Sequence, residues 1–357
     1  TIVSNEGVNN TLTVTGNVDV SGTLDTSVGA NHSFGSLTIH SGGEYDATGG
    51  DTTITDTHTG AADGDAFNNK SGGRITANSG NINVISPKSC YFRNNGLGNC
   101  HTLGVELGAG GRNFLLQAPG TIEFSGNVLI NSGNFRGNGS DQNIDVAGNM
   151  TLAATTNARF HDGQIFSAGN QPTGTHEYGS LNIGNDATYY ATSGTTTIKS
   201  ATGTSSNTLS NSGTFTHNNG KLYFDLSVAN GDGYHNILNS STAGLHTFYD
   251  FEIKCDAEYV AMMKSIEVLG NYTVSGANAI RYESGNNTKT IIVHGLATTS
   301  NGQLGSADTT GLDTTIPLEK RGWQFLGGLD VTGGTLKLGS NQTVKVSGLR
   351  NIGGTIT

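Results

Sequence analysis

Charge is scarce in this chain: only 13% of its 357 residues are Asp, Glu, Lys or Arg, about half the share usual in a globular domain. The 18 Lys and Arg are scattered singly and the formal net charge is −10. No basic stripe is available to neutralise a phosphate backbone, which excludes the usual nucleic-acid interface. No apolar run approaches the ~20 residues that a membrane-spanning helix requires, so insertion by helices is excluded. Proline is nearly absent, with 4 residues. This suits a chain whose backbone N–H groups are committed to ladders, since Pro cannot donate to one. The chain opens at Thr1 rather than Met and reads as a processed or excised segment, so missing targeting signals carry no information.

Cysteine is also rare, with three residues. Cys90 and Cys100 bracket "CYFRNNGLGNC", a loop short enough for a disulfide-linked hairpin, and equally compatible with two unpaired thiols. No Cys/His cluster has zinc spacing.

What is abundant is Gly, 54 residues, together with Thr, Val, Asn and Ser. Low hydrophobicity without high charge, and with many β-branched residues, predicts ordered β-structure rather than disorder. The stretch "LTVTGNVDVSGTL" from Leu12 alternates apolar and polar residues around Gly16-Asn17, which places one face on a core and the other in water. The same frame returns as "IEFSGNVLI" from Ile122, "IDVAGNMTL" from Ile144 and "IEVLGNYTV" from Ile266, with a looser form, "LDVTGGTLKL", from Leu329.

A longer element repeats as well. "FGSLTIHSGGEYDATGGDTTIT" from Phe34 and "YGSLNIGNDATYYATSGTTTIK" from Tyr178 share 11 of 22 positions without a gap. "ITANSGNINV" from Ile75 corresponds to "FTHNNGKLYF" from Phe215. Short strands separated by Gly-rich corners predict coils of about 22–24 residues whose strands pair with the coils above and below. The expected fold is therefore all-β: a parallel β-solenoid, or β-helix, built of duplicated three-strand coils and elongated. The alternative is a tandem array of small antiparallel β-sandwiches.

On this reading residues 1–85 form one repeat unit, 86–120 an insertion carrying the Cys pair, 121–254 a second unit, and 255–357 a partial third unit with a capping or interface segment. "CDAEYVAMMKS" from Cys255 is the one stretch that suggests a short helix, and "LDTTIPLEKRGWQF" from Leu312 holds the sole Trp.

Candidate chemistry is thin. Asp46 and Asp51 are possible paired carboxylates for glycan hydrolysis, but their counterparts in the second copy are Tyr190 and Thr195. Asp63, Asp65 and Asp232 lie in Asp-Gly loops that resemble calcium-binding turns without following an established calcium motif; turn chemistry alone explains them. His217 and His235 have no metal spacing and read as exposed strand or turn positions. Alternation turns one ring of Tyr189-Tyr190 outward, so Tyr190, Tyr234 and Trp323 are the candidates for stacking on a sugar. No catalytic residue and no cofactor is assigned.

Taken together, "LTVTGNVDVSGTL", "FGSLTI" and "GTFTHNNGKLYF" resemble the β-strand-repeat proteins of bacteriophage tail fibres and virion appendages, a style shared with bacterial surface adhesins. The resemblance implies an elongated β-rod at the virion surface, often a homotrimer. Such a rod joins other fibre proteins and bridges to a glycan-bearing cell surface. A polysaccharide-degrading tailspike and a bacterial extracellular filament are the rival readings.

Overall fold

The computed structural model describes residues 2–3, 11–28, 30–55, 64–108, 112–137, 142–153, 158–161, 174–199, 207–229, 231, 233–240, 242–284, 287–305, 311–312, 315–338 and 343–357. Among them the structure is all-β, the sole helical element being a single 3-10 turn at Leu318–Lys320. The strands pair in parallel; the exception among the described pairings is Glu283–Ser284 against Asn287–Thr288. Parallel pairing removes the tandem-sandwich alternative, which requires antiparallel sheets.

The chain divides into two compact units, Thr1–His176 with Ile183–Tyr190, and Glu177–Asn182 with Ala191–Thr357. In the first, strand His32–Ile39 is shared. On one side it pairs with Thr13–Val20, where the register shifts around Gly16 so that Val14 faces Phe34 and Val18 faces Leu37. On the other its first half pairs with Asp51–Ile54 and its second with Gly64–Asn69. Gly35 sits at the division because a Cβ there would lie 2.6 Å from the Thr15 carbonyl oxygen. From Thr52 a column continues through Ile82, Leu103, Val128 and Met150, all in register and all buried.

A second column in this unit is made of rings. Phe67, Phe92, Phe114, Phe135, Phe160 and Tyr189 follow one another with centroid separations of 4.4, 5.9, 5.5, 5.5 and 5.0 Å, and every one is 0% exposed. Parallel in-register strands bring like side chains to the spacing at which aromatic pairs contribute about 0.5–1.5 kcal/mol beyond simple burial. Residues 86–120, expected to be an insertion, belong to these columns. Cys90–Asn94 pairs with both Gly64–Asn69 and Asn113–Gln117, and Thr102–Leu107 pairs on both edges. Cys90 and Cys100 are both buried and are not joined in a disulfide. Cys90 points inward beside Phe92, as strand alternation requires.

Three parallel ladders recur through the second unit, and its strands, apart from the short set Glu283–Ser284, Asn287–Thr288 and Gly311–Leu312, join them in cyclic order. Leu245–Phe248, Asp250–Cys255 and Tyr259–Met262 are followed by Ser265–Val268, Tyr272–Ser275 and Ala279–Arg281, each pairing with its predecessor three strands earlier. The order continues through Ile291–Val293, Ala297–Thr299 and Gln303–Gly305, then Trp323–Phe325, Leu329–Val331 and Thr335–Lys337. The stretch from Cys255, expected to be helical, is strand here: Val260 and Met262 point inward with 0% exposure, and ladder pairing outweighs the helix preference of Ala and Met.

The duplicated sequence is a duplicated set of bonds. Asn78 Nδ2 donates to the Ala47 carbonyl at 2.5 Å, and Asn218 Nδ2 donates to the corresponding Ala191 carbonyl at 2.6 Å. Thr48 and Thr192 each accept from the N–H two residues on, at 3.0 Å in both cases.

Candidate functional site

An outward strip in the second unit gathers aromatic and charged groups. Tyr234–Asn239 pairs with Tyr259–Met262, bringing Tyr234 opposite Tyr259, and the next strand, Ala279–Arg281, places Arg281 opposite Ala261. Alternation sends His235, Val260 and Ile280 into the core, each 0% exposed, and turns Tyr234, Tyr259 and Arg281 outward. The two tyrosine rings stack at 5.6 Å with 24° between planes, and the Arg281 guanidinium carbon lies 4.5 Å from the Tyr259 centroid.

Glu258 fixes the approach to this strip. Its Oε1 accepts the N–H groups of Gly231 and Gly233 at 3.4 and 3.1 Å, both glycines having positive φ, a conformation that only Gly adopts without strain. Its Oε2 lies 3.5 Å from His235 Nε2. Burial holds the His235 imidazole below its ordinary pKa, and Glu258 opposes that shift. The result is a half-buried aromatic face with a guanidinium at its margin, suited to the apolar face of a sugar ring and its hydroxyls.

The first unit carries a related but closed arrangement. The Arg93 guanidinium carbon sits 4.1 Å over the Tyr91 ring, its Nε donates to Asp65 Oδ1 at 2.6 Å, and Nη1 donates to Gln117. Asn68 donates to the other Asp65 oxygen at 2.7 Å. Asp65, a candidate calcium ligand, is thus engaged by a cation already present in the chain. Asp63 and Asp232 lie outside the described residues. Among the described residues no group of three or more His, Cys, Asp or Glu is placed to hold a metal.

Of the three sugar-stacking candidates, Tyr190 and Tyr234 are half-buried and outward-facing, while Tyr189 is fully buried. Trp323 differs: it is 0% exposed, pairs in register with Ile291 and Val344, and donates its indole N–H to the Lys289 carbonyl at 3.1 Å. It is a core residue, and no ligand reaches it. His235 is likewise interior rather than a surface position, whereas His217 stacks on Tyr249 at 5.9 Å.

Asp46 and Asp51 lie on strands of different sheets. Asp51 Oδ1 accepts from Asn81 Nδ2 at 2.7 Å, and Asp46 stands in register with Asp25 and Thr76 instead. Hydrogen bonds from the Ser27 hydroxyl and N–H hold the Asp25 carboxyl below the usual carboxylate range.

Sequence reasoning missed Glu258 and Tyr259 because the stretch from Cys255 read as helical, and missed Arg281 because no motif marks it. The available signal was the alternation of Tyr259 and Ala261 with Val260 and Met262. No protein-family model, curated protein or solved structure matches the chain.

Proposed function

We propose that each unit is a length of β-solenoid and that the chain is a structural and adhesive segment of a phage fibre or virion appendage, meeting a cell-surface glycan through outward aromatic strips. The cyclic assignment of consecutive strands to three parallel ladders in the second unit carries this reading. A core lined by one inward row per strand resists bending through its continuous backbone ladders, and its outward rows are free to vary. The Tyr234–Tyr259–Arg281 strip is the contact surface that fits a glycan best. In this reading the chain assembles as a homotrimer with its neighbours along the fibre, which buries flanks and lends stiffness.

Proteomic analysis of purified virions tests placement. Recovery of the chain with the particle supports the proposal, and recovery only in a bacterial envelope fraction replaces it with a surface adhesin. Sedimentation equilibrium reads the trimer, which a stable monomer overturns. Glycan-array binding that falls roughly tenfold in Tyr259→Ser, a substitution on the outer face, supports the contact surface; undiminished binding removes it.

A further inference from the structure

A cavity in the second unit has the features of a binding site. Strand Leu245–Phe248 begins a ladder: it pairs with Ser265–Val268, and no strand among the described residues pairs with its other edge. A cavity of about 250 Å³ opens beside it, lined by Asn211, Thr214, Phe215, Thr242, His246 and Phe248 among others. Two of its polar side chains are buried without a full set of partners. Asn211 is 4% and His246 8% exposed, and they approach each other at 3.4 Å through Asn211 Nδ2 and His246 Nδ1. This leaves Asn211 Oδ1 and His246 Nε2 with no hydrogen bond. An unsatisfied buried acceptor or donor costs about 1–3 kcal/mol, so two at one cavity wall need an explanation.

The lining constrains what would satisfy them. Among the described residues it contains no carboxylate, Lys or Arg, and burial holds the His246 imidazole below its ordinary pKa, reinforced by the positive charge of Lys264 and opposed by the Thr242 backbone. The described lining itself offers a charged ligand no counter-charge, Lys264 standing outside it. The polar groups are an amide oxygen, an imidazole nitrogen and the hydroxyls of Thr214, Thr242 and Thr247, which suits a ligand with several hydroxyls. Apolar side chains share the lining: Phe215 and Phe248 meet edge to face at 5.2 Å, and Phe248 lies on the same buried strand face as His246. The volume lies below the ~300–1,000 Å³ of drug-sized sites, so the ligand is small.

We propose that this cavity binds one neutral sugar ring, with its hydroxyls paired to Asn211 Oδ1 and His246 Nε2 and its apolar face on Phe215 and Phe248. The site is separate from the Tyr234–Tyr259–Arg281 strip and rests on the glycan reading only for its biological purpose. Virion placement is tested by particle composition, so the failure of either idea leaves the other standing.

The test is NMR of the histidine ring signals in the intact chain during titration with glucose, galactose, mannose, N-acetylglucosamine and the anionic glucuronic acid, His246 being assigned with His246→Gln. A saturable shift of the His246 ring is expected with at least one neutral sugar. Binding should be roughly tenfold weaker in Asn211→Ala, the equivalent of one lost hydrogen bond, and weaker for glucuronic acid. No shift with any neutral sugar, a shift undiminished in Asn211→Ala, or preference for the anion overturns the proposal. If Asn211→Ala does not fold, a crystal of the wild-type chain soaked in the best sugar decides. Density for a ring against Phe215 and Phe248 supports the proposal, and ordered waters alone overturn it.

Discussion

The corners that follow the two copies of the long repeat can be compared residue by residue. Inside, they are interchangeable. Ala47 and Ala191 accept from equivalent asparagines, their N–H groups donate to Thr76 and Thr216 at 3.0 and 2.8 Å, and a Cβ on Gly80 or on Gly220 would collide with the carbonyl oxygens of Thr48 and Gly50 or of Thr192 and Gly194. Outside, they have diverged: Asp46 and Asp51 of the first copy are Tyr190 and Thr195 in the second. Packing and backbone satisfaction hold the inner rows to one solution, while the outer rows carry no such constraint. Identity between copies therefore marks architecture, and difference marks where recognition is free to arise.

Breaking the corner should have the largest effect and the same size in both copies. Gly80→Ala and Gly220→Ala are each expected to cost more than about 4 kcal/mol, or to abolish soluble expression. Gly42→Ala, at positive φ but with open space around the added carbon, should cost only about 1–2 kcal/mol. Urea unfolding of the three variants measures the difference, and equal losses at Gly42 and Gly80 would mean that the carbonyl collision is relieved by movement.

Acidification comes next. Burial holds the imidazoles of His32, His235 and His246 below their ordinary pKa. The unfolded chain therefore binds more protons than the folded one below about pH 6.5. Stability should be full above that value and fall as pH drops through the depressed folded-state values. His32→Gln should flatten the slope of urea midpoint against pH between 7.5 and 5; an unchanged slope would show that His32 contributes nothing to it.

The paired asparagines sharpen the comparison further. Asn78→Ala and Asn218→Ala each leave a carbonyl without its side-chain donor and should cost about 1–2 kcal/mol apiece. Losses that differ markedly between them would show that the two corners are alike in geometry but not in solvation. The smallest effect belongs to the outer rows: Asp46→Tyr and Tyr190→Asp, which exchange the residues of the two copies, should each change stability by no more than about 0.5 kcal/mol.

Much of the interior was legible because period-two alternation and the Gly-Asn frame report directly on which side chains face inward. Leu37, Leu181, Tyr45, Tyr189, Ile54 and Ile198 are all buried, as their alignment implies. The ring column from Phe67 to Tyr189 was not legible. Its members are spaced by 21 to 29 residues, and only the pairing register of the strands reveals that they share a column. Residues 86–120 lack the Gly-Asn frame and so looked foreign, although the alternation of Cys90 with Phe92 and of Leu103 with Val105 already carried the strand signal. Trp323 misled through rarity: a single Trp invites a surface role, whereas its alternation with Phe325 places both inside. The cavity at Asn211 and His246 has no sequence signature, because it depends on where a ladder starts.

The three thiols have a practical consequence. Cys90 and Cys100 belong to the first unit and Cys255 to the second, and all are buried. Burial pushes the Cys100 and Cys255 thiols up to about 12, so almost none of either is thiolate at neutral pH and an alkylating reagent has little to attack. Labelling must wait for the backbone around each sulfur to open. The protein thus carries natural clocks for fraying, one set in each unit, and the rate at which mass is added under native conditions would report which of them breathes first.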